Sequence, residues 1–337
     1  MTALSPYMSR DARYCADTFN GAVAAAALSA AWDLGLLDEL AHSDSMDVRH
    51  FATRSNAHLG SLRAILAALA SREIVVMDAE RTTAARGPGF DEAFKNRGFF
   101  YWLTRGCGEL FTDLTDLTLN EPRADRVMHR DSRAISVACR SIAQTFFDPP
   151  LRELIDGLPF GTVADLGCGS SDRIIMLAQQ RPSIRAVGID IAHGALAVSK
   201  EAVAEAELED RITLIRDDVL SMSPRPEYED IDLVTCFLMG HDFWPRDNCV
   251  RTLRRLREVF PNARNLILGD TCRSTQVRGS EMPMFTVGFE TVHAVMDQYL
   301  PTFEEWTSVL EESGWTRADQ RLIDLPAFSF IVRLTPA

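Results

Sequence analysis

The chain has 337 residues, of which 46% are hydrophobic and 25% are charged, and this length is sufficient for two globular domains. The net charge of −13 argues against a nucleic-acid partner, because phosphate binding needs clustered Lys and Arg, but it does not exclude a small anionic substrate. The seven cysteines form no Cys-x-x-Cys pair, and no apolar run reaches the roughly 18 residues of a membrane span, so we expect a reduced, cytoplasmic protein without membrane contact.

The N-terminal part shows helical periodicity followed by a short β-rich segment. Apolar residues recur at helical spacing over 11–42 and 59–71, a short helix is expected near 47–53, and β-branched residues at 74–77 begin a ribbon. Helices followed by a ribbon are typical of a winged-helix-like module. Two roles remain open for it, a DNA-binding regulator or a dimerisation module, and the few basic residues of the third helix favour dimerisation.

The middle of the chain is predicted to be helical up to a proline pair. Residues 90–145 are rich in aromatic side chains, and Asp148-Pro149-Pro150 interrupts the pattern. We therefore expect a helical, dimerising domain over 1–150 that also contributes to the substrate pocket. In the second domain, 151–337, strands alternate with helices, which predicts an α/β fold with a parallel sheet covered on both faces, and 328–334 is expected to form an edge strand.

A glycine turn near residue 167 points to an adenosine-bearing cofactor. A short apolar strand leads into Gly167 and Gly169, and a second strand ends in Asp190 about 20 residues later, the spacing at which a carboxylate can bind a ribose diol. The third glycine of dinucleotide-binding turns is missing here, because serines and an aspartate follow Gly169. Asp165 at the start of the turn disfavours a diphosphate and suits a cationic ligand end, such as the amino group of S-adenosylmethionine.

The segment from Asp165 to Gly169 resembles the first motif of class I methyltransferases, which implies S-adenosylmethionine as the cofactor. Residues 211–219 resemble the third strand and the adenine-binding turn of that family, with Asp218 and Val219 bracketing the base. Residues 230–237 resemble its fourth strand. Cys236 and Phe237 are expected to line the cofactor pocket through backbone and ring, with a place in the ordinary strand core as the alternative. The layout as a whole resembles small-molecule O-methyltransferases, in which a winged-helix-like dimerisation domain precedes a Rossmann-like domain; this implies a homodimer.

A narrower resemblance involves the segment 239–246, Met-Gly-His-Asp-Phe-Trp-Pro-Arg. It is similar to the metal-containing α-keto acid C-methyltransferases of nonribosomal peptide pathways. The resemblance implies methyl transfer to the β-carbon of an α-keto acid through a metal-chelated enolate, with 4-methyl-2-oxopentanoate preferred and phenylpyruvate next. It also implies that His241 and His293 hold one metal ion, with iron or zinc expected.

The same resemblance assigns roles to further side chains. Arg130 would pair with the substrate carboxylate, because the guanidinium fork matches a carboxylate. Asp242 would orient a metal-bound water or accept the β-proton, and Trp102 and Phe289 would enclose the substrate side chain. The alternative is a metal-independent O-methyltransferase in which His241 acts as general base, since the pKa of histidine lies near the working pH.

Overall fold

The computed structural model describes residues 9–121, 128–275, 279–323 and 327–337. The chain divides into two compact units, the first ending at Gly106 and the second beginning at Cys107. Among the described residues no single helix is long and apolar enough to cross a membrane. Only the first two helices, taken together, meet the same criteria of length and composition, and they are bent by 76° where they join.

The first unit is mainly helical and carries a small antiparallel sheet of order β1-β3-β2. The predicted helix over 11–42 is broken at Gly35, whose φ of 73° lies in the left-handed region. Leu62, Leu66 and Leu69 recur at helical spacing and form the buried face of one helix. The elements are α1 (Arg10–Asp33), α2 (Leu36–His42), β1 (Ser45–Asp47), α3 (Val48–Arg54), α4 (Leu59–Ala70), β2 (Val75–Met77), β3 (Thr83–Arg86), α5 (Phe90–Lys95) and α6 (Arg97–Tyr101).

The second unit is built on a seven-stranded sheet of order β6-β5-β4-β7-β8-β10-β9. The strands are β4 (Thr162–Leu166), β5 (Arg185–Asp190), β6 (Ile212–Arg216), β7 (Leu233–Phe237), β8 (Asn265–Thr271), β9 (Trp315–Ile323) and β10 (Ser329–Pro336). The first five strands in this order are parallel. This confirms the predicted α/β class, and it brings the carboxyl ends of β4, β5 and β7 to one edge, where ligands bind in such sheets.

Helices connect these strands and precede them. They are α7 (Gly108–Thr112), α8 (Leu114–Thr118), α9 (Ser132–Ile142), α10 (Asp148–Ile155), α11 (Asp172–Gln180), α12 (His193–Glu205), α13 (Pro226–Glu229), α14 (Arg246–Val259), α15 (Thr286–Val295) and α16 (Phe303–Glu312). Alternate residues of β4, β7 and β8 pack with buried residues of α14 and α16 in one hydrophobic core.

The division between the units lies earlier than the predicted boundary at residue 150. Helix α9 packs against α12, and α10 packs against β9 and β10, so both helices belong to the second unit. The prolines that suggested a linker instead lie in the first turn of α10. Proline is tolerated there because the first N–H groups of a helix have no intrahelical partner.

The prediction of an edge strand at 328–334 was wrong. β10 lies between β8 and β9 and is antiparallel to both, so β9 forms the edge of the sheet. β10 is buried over most of its length, whereas the residues between Trp315 and Ile323 in β9 are exposed or half-buried. The polar sequence of β9 gave no hydrophobic signal, and this is why β10 was taken for the last strand.

Candidate active site

The turn after β4 has the backbone conformation that its glycines predicted. Gly167 and Gly169 have φ of 66° and 55°. Ser171, two residues after Gly169, also adopts a left-handed φ of 63°. A Cβ added at Gly169 would meet no atom within 4 Å, so the turn opens into free space. The Gly169 N–H donates to Asp190 Oδ2 at 3.0 Å. The turn and the carboxylate at the end of β5 therefore form one side of a cradle.

This cradle forms part of a cavity of about 650 Å³ in the second unit. Such a volume falls in the usual range for cofactor sites. The predicted cofactor residues that line the cavity are Asp165, Gly167, Gly169, Asp190, Asp218, Val219 and Phe237. Residues from the ends of four parallel strands, β4, β5, β6 and β7, thus meet around a space of the size that an adenosine-bearing cofactor needs.

Cys236 is the exception among these predictions. Its side chain is fully buried in the hydrophobic core and does not line the cavity. Successive side chains of a strand point to opposite faces, so the neighbouring Phe237 reaches the cavity and Cys236 cannot. Of these two residues, Phe237 lines the cofactor pocket and Cys236 does not.

The two acidic side chains of the turn after β6 are held differently. Asp217 accepts a hydrogen bond from the Tyr228 hydroxyl at 2.9 Å. Asp218 accepts from the backbone N–H of Leu220 at 3.0 Å and from the Ser221 hydroxyl at 2.9 Å. Both side chains line the cavity, so the lining does not distinguish between them. The contact of Asp218 with the adenine amino group stays a prediction.

His241 and His293 are far apart in the sequence and adjacent in the structure. Their ring centroids are 4.9 Å apart with an interplanar angle of 85°, and both side chains are buried. His241 lies in a 3₁₀ turn, Gly240–Phe243, just after β7, and His293 lies on α15. Phe289, one turn before His293 on α15, packs its ring 4.1 Å from that of His293 and 5.5 Å from that of His241. The structure thus brings together three of the predicted site residues.

Asp270 at the end of β8 orients His241, and the sequence reasoning did not single it out. Its carboxylate, fully buried, accepts the backbone N–H of His241 at 2.6 Å and pairs with His241 Nδ1 at 2.8 Å. An acid at the carboxyl end of a predicted parallel strand was the available signal. Burial alone would lower the pKa of His241, but the charge and hydrogen bond of Asp270 outweigh burial and raise this pKa.

His293 has the opposite electrostatic environment. Its Nδ1 lies 2.7 Å from the Phe289 carbonyl oxygen, so the ring donates through this nitrogen. Burial, together with the charge of His241, lowers the pKa of His293 to about 3. The imidazole of His293 is therefore neutral at physiological pH. Neighbouring groups whose pKa values are driven apart are characteristic of catalytic sites.

Arg130 and Asp242 line the cavity and act on the histidine pair. The positive charge of Arg130 contributes to the low pKa of His293 and partly opposes the rise in the pKa of His241. Asp242 Oδ1 lies 4.0 Å from His241 Nε2, and its side chain is about half exposed. Trp102 lies buried in a π-helical turn of the first unit, so its predicted place in the substrate pocket stays a prediction.

Comparison with known proteins identifies the family. Residues 16–91 match the O-methyltransferase dimerisation domain, and residues 163–262 match a methyltransferase domain. Over 332 residues the chain is 40% identical to methyltransferase ungE' of Aspergillus campestris, and the match covers 96% of each protein. The chain belongs to the class I, O-methyltransferase-like family of S-adenosylmethionine-dependent methyltransferases.

Two further proteins are similar to the chain, one over about half of its sequence and one in its fold. The methyltransferase is 30% identical over 160 residues to an indolepyruvate C-methyltransferase of Streptomyces griseus, a match that covers 47% of each chain. Its fold is similar to that of human N-acetylserotonin methyltransferase in complex with S-adenosylmethionine, with a TM-score of 0.71, 16% identity and coverage of 99% and 100%. The predicted fold and the S-adenosylmethionine cofactor are confirmed, whereas the acceptor and the metal ion stay predictions.

Proposed function

We propose that the methyltransferase transfers a methyl group from S-adenosylmethionine to the β-carbon of an α-keto acid that serves as a nonribosomal peptide precursor. We further propose that it acts as a homodimer joined through its N-terminal domain. The observation that carries the proposal is the buried contact between His241 and His293, next to Asp242, which lines the cofactor cavity together with Arg130. An acceptor with adjacent ketone and carboxylate oxygens matches two imidazoles and one arginine.

The chemistry requires a proton acceptor and a site for negative charge. The β-carbon becomes nucleophilic only after losing a proton, and the resulting charge resides on the ketone oxygen. Arg130 pairs with the carboxylate and fixes the orientation of the substrate. Asp242 lines the cofactor cavity, and its Oδ1 lies 4.0 Å from His241 Nε2. In this proposal it accepts the β-proton. The methyl group of the sulfonium then passes to the carbon.

The two histidines are suited to hold a metal ion. Asp270 and the Phe289 carbonyl hydrogen-bond the Nδ1 atoms of His241 and His293, which is the usual way that a metal-binding imidazole is oriented. An ion held by these rings would act as a Lewis acid toward the enolate, on the order of several kcal/mol. Among the described residues no group of three or more His, Cys, Asp or Glu is placed to hold an ion. In this proposal the protein supplies two ligands, His241 and His293, and a chelating substrate supplies others.

One relative supports the acceptor class. Indolepyruvate, in the name of the Streptomyces griseus C-methyltransferase, is itself an α-keto acid. That match covers about half of each chain, and it does not determine which side chain the keto acid carries. We retain 4-methyl-2-oxopentanoate as the first choice and phenylpyruvate as the second.

A second candidate function is methylation of a hydroxyl oxygen without a metal. The contact between His241 and Asp270 favours it, because Asp270 raises the pKa of His241 and fixes the ring as a general base would require. In that mechanism His293 would have no catalytic role.

The test is an acceptor panel with S-adenosylmethionine labelled with ¹³C in its methyl group. It includes 4-methyl-2-oxopentanoate, phenylpyruvate, indolepyruvate and a matched set of phenols. We expect the label on the β-carbon of at least one keto acid, identified by its carbon–carbon coupling partners in NMR spectra. Label on phenolic oxygen only, with every keto acid unchanged, would contradict the proposal.

A further inference from the structure

A buried arginine lies in the cofactor cavity close to the glycine turn. Arg173, in the first turn of α11, has a side chain only 10% exposed, and its guanidinium carbon lies 3.8 Å from the centroid of the Phe237 ring. Arg173, Phe237, Asp165 and Asp148 all line the cavity. A charged group in this position must be balanced either by neighbouring side chains or by a ligand.

The neighbouring side chains satisfy the hydrogen-bonding groups of Arg173 only in part. Arg173 Nη1 donates to both carboxylate oxygens of Asp165, at 3.2 and 3.3 Å, and Asp165 also accepts the Thr235 hydroxyl at 2.6 Å. On the other edge of the guanidinium, Nε lies 4.0 Å from Asp148 Oδ1, which is too far for a hydrogen bond. Both atoms are buried, and neither has a hydrogen-bond partner among the described residues.

The unsatisfied donor and the unsatisfied acceptor belong to side chains of opposite charge, and both residues line the cavity. Buried polar atoms of native proteins are nearly always paired, and an exception calls for an explanation such as a ligand. The amino acid end of S-adenosylmethionine carries a carboxylate and an ammonium on the same carbon, so it can pair with both side chains at once. The cluster of one arginine and two aspartates has a formal charge of −1, opposite to the net charge of the cofactor.

We propose that Arg173 and Asp148 bind the amino acid end of S-adenosylmethionine, Arg173 through its α-carboxylate and Asp148 through its ammonium. Asp165, from which the sequence predicted the ammonium contact, instead accepts from Thr235 and Arg173 and holds the guanidinium in place. This inference rests on the use of S-adenosylmethionine and is independent of the methyl acceptor.

Two ligands that differ only at this end provide the test. S-Adenosylhomocysteine carries the amino acid group, and 5′-methylthioadenosine lacks it. By isothermal titration calorimetry we expect Arg173→Met to weaken S-adenosylhomocysteine binding by about 10- to 100-fold and Asp148→Asn by about 10-fold, the usual range for hydrogen bonds to charged groups. The affinity for 5′-methylthioadenosine should stay within about threefold of the wild-type value in both variants, because that ligand lacks the charged group.

The matched control is Arg181→Met. Arg181 also lies over an aromatic ring, 4.4 Å from the Phe160 centroid, and donates to backbone carbonyls, but it does not line the cavity. It should leave both affinities unchanged. Equal losses for both ligands in Arg173→Met, or no loss for S-adenosylhomocysteine, would overturn the proposal. So would tighter S-adenosylhomocysteine binding by Asp148→Asn.

A second variant covers the case in which Arg173→Met does not fold. Arg173→Lys keeps a positive charge beside Asp165 but lacks the planar fork that binds a carboxylate through two N–H groups. We expect it to bind 5′-methylthioadenosine normally and S-adenosylhomocysteine about 10-fold more weakly. A parallel loss for both ligands in this variant would likewise overturn the proposal.

Discussion

Replacing His293 with alanine is expected to lower kcat/KM for β-carbon methylation of an α-keto acid by about 10³-fold, since a Lewis-acid ion supplies several kcal/mol and each 1.36 kcal/mol is tenfold in rate. His293 does not line the cofactor cavity, so the affinity for S-adenosylhomocysteine should be unchanged. The measurement is steady-state kinetics with the best keto acid of the panel, together with calorimetric S-adenosylhomocysteine binding. A metal-independent O-methyltransferase would keep most of its activity in this variant.

Two controls separate chemistry from packing in this experiment. His293 is buried, so truncation leaves a cavity, and His293→Gln fills more of that space. We expect both variants to lose activity to a similar extent while differing in Tm. His50→Ala, at an exposed position of the first unit, should match the wild type. Full activity in a folded His293→Ala protein would show that the imidazole of His293 has no role in the reaction.

Replacing Asp270 with asparagine is expected to lower kcat by about 10- to 100-fold, the usual effect of removing the group that orients a catalytic or metal-binding histidine. The carboxylate accepts from the His241 backbone N–H, from His241 Nδ1 and from the Thr271 backbone N–H, so an amide NH₂ would face a donor. Leaving such a buried donor unpaired costs about 1–3 kcal/mol of stability.

The readouts for Asp270→Asn are kcat, the free energy of unfolding in urea and S-adenosylhomocysteine affinity. We expect the first two to fall and the third to be unchanged, because Asp270 does not line the cofactor cavity. The isosteric change keeps the volume of the site, which is tight: a Cβ added at Gly240 would lie 3.0 Å from Asp270 Oδ2. Wild-type kcat in this variant would show that His241 needs no orientation by Asp270.

The cofactor side of the site could be predicted because its signals are local. A positive φ is adopted most readily by glycine, so Gly167 and Gly169 determine the turn from the sequence alone. The carboxylate of Asp190 follows at the end of the next parallel strand, and the alternation of strands and helices brings both to one edge.

The remaining features depend on contacts between distant segments. Asp270 was missed because its role appears only when β8 lies beside the turn that carries His241. The pairing of Asp165 with Arg173 was missed because Asp165 was considered only as a ligand contact. The choice between pocket and core stayed open for Cys236 because the motif gave the strand but not the face to which each side chain points. The order of β10 and β9 could not be read from the polar sequence of β9.

The most direct test of the central claim is elemental analysis of the purified protein and of its His241→Ala and His293→Ala variants, with activity measured on the same samples. We predict about one metal ion, iron or zinc, per wild-type chain, loss of the ion in both variants, and loss of β-carbon methylation after treatment with a chelator, restored by the ion. Wild-type protein that is free of metal and still methylates the β-carbon at full rate would contradict the account.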